Sequence, residues 1–279
     1  MISSVITDFR SSISFGKADE VDLFRELAKA IVKNSTSTFI DETHGGKVCN
    51  VNFTSATGKA EICEISDLLI VSHSATGGRL RATFWQAKKQ AVSKWLNVTS
   101  TGSQLDFKGQ FNQWDLLSRR PSISGVASFS PPSDLLSSFS SPSIGSFGVF
   151  HEKASLVEVA YSVAEFLACP SPAAKHPTLA INGYLDKYHA FNGEVLTKRD
   201  LVSFLSALFE FQVGALLDPS QPSHKWLARW VMTKTAGSAA PTAVAALRRF
   251  LGEDVGDDSN APTGATGLSI LIVEASDEA

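Results

Sequence analysis

The chain has 279 residues, 43% of them hydrophobic and 19% charged, and a formal net charge of −3. That balance excludes a disordered or fibrous protein and gives enough length for one large hydrophobic core or two modest ones. The charge is uneven: Arg79 to Arg120 holds eight Lys or Arg against Asp106 and Asp115, while the last 28 residues hold seven acids and no Lys or Arg.

Local fields, and not the mean charge, steer a charged partner, so the central basic stretch is a candidate anion-binding region. No apolar run reaches the roughly 18 residues that a membrane span needs. The opening MISSVITDFR lacks the basic and apolar blocks of a signal peptide. Cys49, Cys63 and Cys169 show neither a pairing pattern nor a metal-type spacing and read as reduced thiols. A cytoplasmic protein without a membrane partner is the expectation.

Along the chain, DEVDLFRELAKAIVKN (19–34) places apolar residues at 21, 23, 24, 27, 28, 31 and 32, the spacing of an amphipathic helix. Its early acids and late Lys33 suit the helix dipole. Residues 47–89 read as three consecutive strands joined by turns at SATGK and SATGG, a meander following the helix. QFNQWDLLSRRP (110–121) predicts a short helix stopped by Pro121. A Ser/Pro-rich passage follows, with twelve serines between 118 and 146, and IGSFGVF (144–150) predicts another strand.

From Glu152 onward the pattern turns helical, with candidates at 152–170, 198–218, 223–237 and 241–252, several of them bounded by Pro or Gly. The tail from 253 is acidic, and LSILIVEA suggests a last strand or docking segment. The expected division is an α/β front half over 1–150, a mainly helical interaction or oligomerisation part over 151–252, and an acidic, partly mobile tail over 253–279.

TFWQAKKQ (83–90) carries the chemistry. Alternation puts Gln86 and Lys88 on one face of a strand and Lys89 on the other. Across the SATGG turn, Asp67 precedes the turn by about as far as Gln86 follows it, so an antiparallel pair brings the two together. A carboxylate, an amide oxygen and an ammonium converging in this way suit a hard divalent cation and the hydrolysis of a phosphate ester. Glu61 or Glu64 on the preceding strand offers a further carboxylate; being three apart, the two face opposite sides.

An acid heading one strand, an acid-like residue-x-Lys on the next and a helix glutamate before both resemble the PD-(D/E)XK restriction-endonuclease-like nucleases, over about residues 20–115. The resemblance implies an α/β (α+β) core in which helices flank a mixed sheet. It also implies Mg²⁺ (or Mn²⁺) held by Glu26, Asp67 and Gln86, with Glu64 in support, and Lys88 in catalysis. Gln86 stands where most members have an acid, and some branches of the family carry glutamine there. Gln110 and Trp114 fall where other branches carry a Q-x-x-x-Y motif on the next helix.

The implied activity is cleavage of DNA phosphodiesters, with Arg79, Arg81, Lys89, Lys94, Lys108, Gln110, Arg119 and Arg120 as the backbone contacts. Small nucleases of this kind resemble effectors of bacterial anti-phage systems, and control by a protein partner or by assembly is expected. The competing expectation is a non-catalytic subunit that keeps the nuclease-like fold as a scaffold. Bland readings stand beside these: Glu26 as a solvated helix flank, Asp67 as a strand-opening residue bonded to a turn amide, and Lys88 and Lys89 as guards of an edge strand.

Overall fold

A computed structural model describes residues 1–41, 49–75, 78–90, 105–169, 174–181, 189–190, 193–252 and 267–276. In chain order the elements begin with α1 (Ile2–Ser12), α2 (Glu20–Asn34), β1 (Ser37–Ile40), β2 (Asn50–Thr54), β3 (Ala60–Glu64), β4 (Leu68–Ser74), β5 (Leu80–Lys89) and β6 (Leu105–Lys108). Next come α3 (Phe111–Arg119), β7 (Ile123–Gly125), β8 (Gly145–Lys153), β9 (Leu156–Val163), β10 (Leu167–Ala168), β11 (Thr178–Ile181), β12 (His189–Ala190), β13 (Glu194–Val195) and β14 (Thr197–Lys198). The chain closes with α4 (Leu201–Phe209), β15 (Ala215–Leu216), α5 (Pro222–Lys234), α6 (Pro241–Leu251) and β16 (Ser269–Ala275).

Among the described residues the principal sheet has eight strands, ordered β1-β16-β4-β5-β8-β9-β14, with β15 added to β5. It is mixed: β4 and β5 pair antiparallel, whereas β16 runs parallel to β4 and β8 parallel to β5. Parallel neighbours need a crossover, and α3 lies within the one between β5 and β8. Helices cover both faces, which explains why β4 is buried along its whole length instead of alternating. One face packs Leu23, Phe24 and Ile31 of α2 and Phe204 of α4 against Leu68, Ile70, Trp85 and Phe150. The other packs Leu116 of α3, Val231 of α5 and Phe250 of α6 against Leu69, Val71, Phe84 and Phe147. A mixed α/β architecture is therefore present. No helix among the described residues is long and apolar enough to cross a membrane.

Several expectations change. The predicted three-strand meander splits, because the chain bends between Glu64 and Leu68 and sends β3 into a separate sheet with β2 and β7. The segment 152–170 is not a helix; it continues β8 and forms β9, whose Val157, Val159, Tyr161 and Val163 are buried. β-branched and aromatic side chains lose rotamer freedom in a helix and fit a pleated surface. The boundary at 150 falls inside β8, and strands from both sides of it share the principal sheet. Within 151–252, helices dominate only from Leu201 onward. LSILIVEA is not part of a tail: β16 lies between β1 and β4. The acidic residues 253–266 lie outside the described residues.

Candidate active site

The bend that ends β3 leaves Asp67 at the head of β4, at the seam between two sheets. Leu68 pairs with Trp85, so Asp67 meets Gln86 one step further along. Its Oδ2 accepts hydrogen bonds from Gln86 Nε2 and, at 2.7 Å, from the Ala87 N–H. Gln86 is 1% exposed, and its Oε1 has no hydrogen-bond partner. A buried acceptor left in that condition costs about 1–3 kcal/mol. Two residues on and on the same face, Lys88 is also buried, and its Nζ lies 3.4 Å from Glu20 Oε2.

Glu20 is the first residue of α2, and the sequence reading overlooked it. Its place is fixed by a capping box in which Asp19 accepts from the Asp22 N–H at 2.8 Å and Asp22 accepts from the Asp19 N–H at 3.1 Å. That cap pins the start of the helix over the end of β5, where Glu20 Oε1 also accepts from the Lys89 N–H at 3.1 Å. The D-x-x-D spacing at 19 and 22 was the available signal.

Glu26 does not join this group. Six residues along a helix turn it by about 240° and carry it roughly 9 Å along the axis, and its carboxylate pairs with Lys29 at 2.7 Å on the helix flank. Glu61 is likewise turned away, accepting from Asn112 Nδ2 at 2.8 Å. Glu64 is the nearer of the two to Asp67 in effect, since its charge acts on that carboxyl. Burial is the largest influence on Asp67 and raises it from 3.8 to about 6. Lys88 opposes that rise, Glu64 adds to it, the Ala87 N–H opposes it and Glu20 adds to it.

Among the described residues, no three His, Cys, Asp or Glu side chains are grouped to hold a metal ion by themselves. Mg²⁺, however, is characteristically bound through one or two carboxylates plus substrate phosphate and water, not by an all-protein cage. The donors here are oxygen only: a destabilised carboxylate and an unpaired amide oxygen, with two further acids nearby. That set suits a hard cation better than zinc, which prefers nitrogen and sulfur ligands, and does not suit a soft metal.

The expected nucleic-acid contacts are not one surface. Arg81 is 3% exposed and bonds Glu194 and the Gly214 carbonyl, each at 3.0 Å, so it lies in the interior and cannot meet a phosphate. Lys89 donates to the Ala18 carbonyl at 2.6 Å. Arg119 clamps the fully buried Asp115 at 2.6 and 3.0 Å, and Arg120 holds the Phe139 carbonyl at 2.9 Å and Glu165 at 3.2 Å. These side chains are engaged within the fold, although Arg119 stays 40% exposed. Arg79, Lys108 and Gln110 are exposed, but Arg79 sits at the far end of β5 from Lys88, roughly 30 Å away at strand rise. Trp114 is half-buried against Phe111. Lys94 lies outside the described residues.

Compared with protein-family models, curated proteins and solved structures, the chain gives no match.

Proposed function

We propose that Asp67, Gln86, Lys88, Glu20 and Glu64 form the active site of a Mg²⁺-dependent nuclease of the PD-(D/E)XK type that hydrolyses DNA phosphodiester bonds. The observation that carries this reading is the buried, unpaired Oε1 of Gln86 beside a carboxylate whose charge is disfavoured, with Lys88 on the same strand face. Asp67 and Gln86 would hold the cation. Glu64 and Glu20 add the negative charge that makes the pocket favour one.

A bound Mg²⁺ supplies Lewis-acid polarisation of the phosphate and a more acidic water. Lys88, on exchanging Glu20 for substrate, would hold the attacking water and stabilise charge building on the phosphoryl oxygens. Water adds to phosphorus, the P–O bond to the leaving sugar oxygen breaks, and a proton goes to that oxygen. An anti-phage role, in which assembly or a partner restrains the activity, remains part of this proposal.

The test is cleavage of plasmid, linear duplex and single-stranded DNA in Mg²⁺ or Mn²⁺ by the wild type, Asp67→Ala and Lys88→Ala. Each variant is expected to lose at least about a hundredfold in rate. Equal cleavage by all three proteins, or none by the wild type on any substrate, rejects the reading.

One observation favours the rival, a non-catalytic scaffold: among the described residues, no three metal-binding side chains converge. Gln86→Glu separates the two readings by calorimetry. It strengthens Mn²⁺ binding if the pocket holds metal and leaves binding undetectable if the fold is only a scaffold.

A further inference from the structure

We infer that Lys89 is a positioning residue, whose ammonium pins the α1–α2 linker so that Glu20 stays on Lys88. This inference rests on the nuclease reading only for its catalytic consequence. Its structural core is independent of that reading, because the contacts concerned lie within the chain.

The linker from Ile13 to Asp19 makes a single turn, with the Lys17 and Ala18 N–H groups both donating to the Ser14 carbonyl at 3.0 Å. Ala18 lies at the end of that turn, where carbonyls point outward without a partner in the turn itself. Lys89 Nζ takes the Ala18 carbonyl at 2.6 Å and sits 4.8 Å from the centre of the Phe15 ring. Two residues beyond Ala18, Glu20 spans both lysines of the QAKK run, one through the Lys89 N–H and one through the Lys88 ammonium. One short stretch of chain is thus held twice by Lys89, by its backbone and by its side chain.

Little else holds the linker on its outer side. Ser14, Gly16 and Lys17 are exposed, and Ser14, Phe15 and Gly16 border a cavity of about 310 Å³ shared with Arg10, Glu152 and Ser155. On its inner side the linker is held by Lys89 together with the packing of Ile13, Phe15 and Ala18 against the core beneath α2, and Lys89 supplies the polar part of that hold. The face alternation that removes Lys89 from the Gln86–Lys88 side turns it toward the linker. An edge guard or a phosphate contact would be free to point into water, and this ammonium does not.

The readout is the reactivity of the Lys88 amine, measured by pulse labelling with an amine-reactive reagent and peptide mass spectrometry. The exposed Lys29 and Lys33 serve as internal references, and Glu20→Gln shows the rate once the ion pair is removed. In Lys89→Met, Lys88 is expected to label about fivefold faster, the factor that corresponds to losing about 1 kcal/mol of restraint. Lys89→Arg, which keeps the charge and the stacking, is expected to restore slow labelling. If Lys89→Met does not fold, Phe15→Leu removes the ring beneath the ammonium and is expected to raise Lys88 labelling in the same direction.

Unchanged Lys88 labelling in a folded Lys89→Met, or in Phe15→Leu where that stands in, overturns the inference. So does fast labelling that arginine fails to slow. Should Lys89→Met instead weaken DNA binding alone, Lys89 is a phosphate contact and the inference is wrong. A wild type that cuts nothing rejects the nuclease reading but leaves the labelling result standing.

Discussion

Asp67 is held where its charge is disfavoured, and the sign of that effect can be followed into stability. Its carboxyl is raised by burial from 3.8 to about 6, so the folded state holds its proton more tightly than the unfolded chain does. The contribution to stability is fully present below pH 3.8 and is lost as the pH rises through 6. A rise of about two units corresponds to about 3 kcal/mol, and partial solvent contact reduces that to about 1–2 kcal/mol. Asp67→Asn should therefore be more stable than the wild type by about that amount at pH 8 in urea unfolding, and equal to it near pH 4. His151 works the other way: burial pushes it down to about 4, so its contribution is lost as the pH falls from 6.5 through 4. The difference between wild type and variant cancels His151 and isolates Asp67. Mn²⁺ at pH 8 should raise the melting temperature of the wild type and leave that of Asp67→Asn in place; an equal rise in both would place the ion elsewhere.

At the level of elements, the strand carrying Gln86 and Lys88 is aligned by the residue before them. Trp85 lies across Gly148 of β8, where a methyl group would fall 1.7 Å from the indole Cζ2. On its far side the ring stacks on Phe204 of α4, 6.1 Å between centroids and 8° from parallel. Gly148→Ala forces the indole out of this slot, an overpacking that costs about 1–3 kcal/mol. Because Gly148 is registered with Ala87, the same change should disturb the Ala87 N–H bond to Asp67. The expected outcome is a lower unfolding midpoint together with weaker Mn²⁺ binding, and full Mn²⁺ affinity in a destabilised variant would uncouple the slot from the site. Sequence patterns exposed parts of this arrangement for identifiable reasons. The apolar spacing of 19–34 is that of α2 (Glu20–Asn34), and period two separates Lys88 from Lys89 onto different faces. β9 carries a period-two signal, Val157, Val159, Tyr161 and Val163 alternating with Glu158, Ala160 and Ser162, but it escaped because apolar residues at 156, 159, 160, 163, 164 and 167 also match helical spacing. Glu20 escaped because its role depends on where a capped helix end lands in space, which no local periodicity encodes. The basic stretch misled for the converse reason: neighbours in sequence became an interior ion pair, a helix clamp and a loop anchor.

For the molecule as a whole, the decisive connection is β16. The last described strand enters between β1 and β4, giving β4 a partner on its second edge over the full run from Ser269–Leu68 to Ala275–Ser74. Without it, β4, which carries Asp67 at its head, becomes an edge strand, and β1 loses its pairing in the principal sheet. β9 and β14 extend the other side, and Glu194 of β13 neutralises the buried Arg81 of β5. Removing one member of such a pair leaves an uncompensated interior charge, typically costing about 3–5 kcal/mol. A fragment of residues 1–150 therefore loses the covering partners of β4, β5 and β8 together, and its complement of 151–279 retains β16 with neither neighbour. Neither fragment should fold alone, and the full chain should resist limited proteolysis across the junction at 150. Heteronuclear NMR of the separately produced fragments checks this: narrow amide dispersion in each is expected, with dispersion recovered on co-refolding. A well-dispersed spectrum from 1–150 by itself would instead establish an autonomous front domain and make the continuity of the sheet incidental to the site.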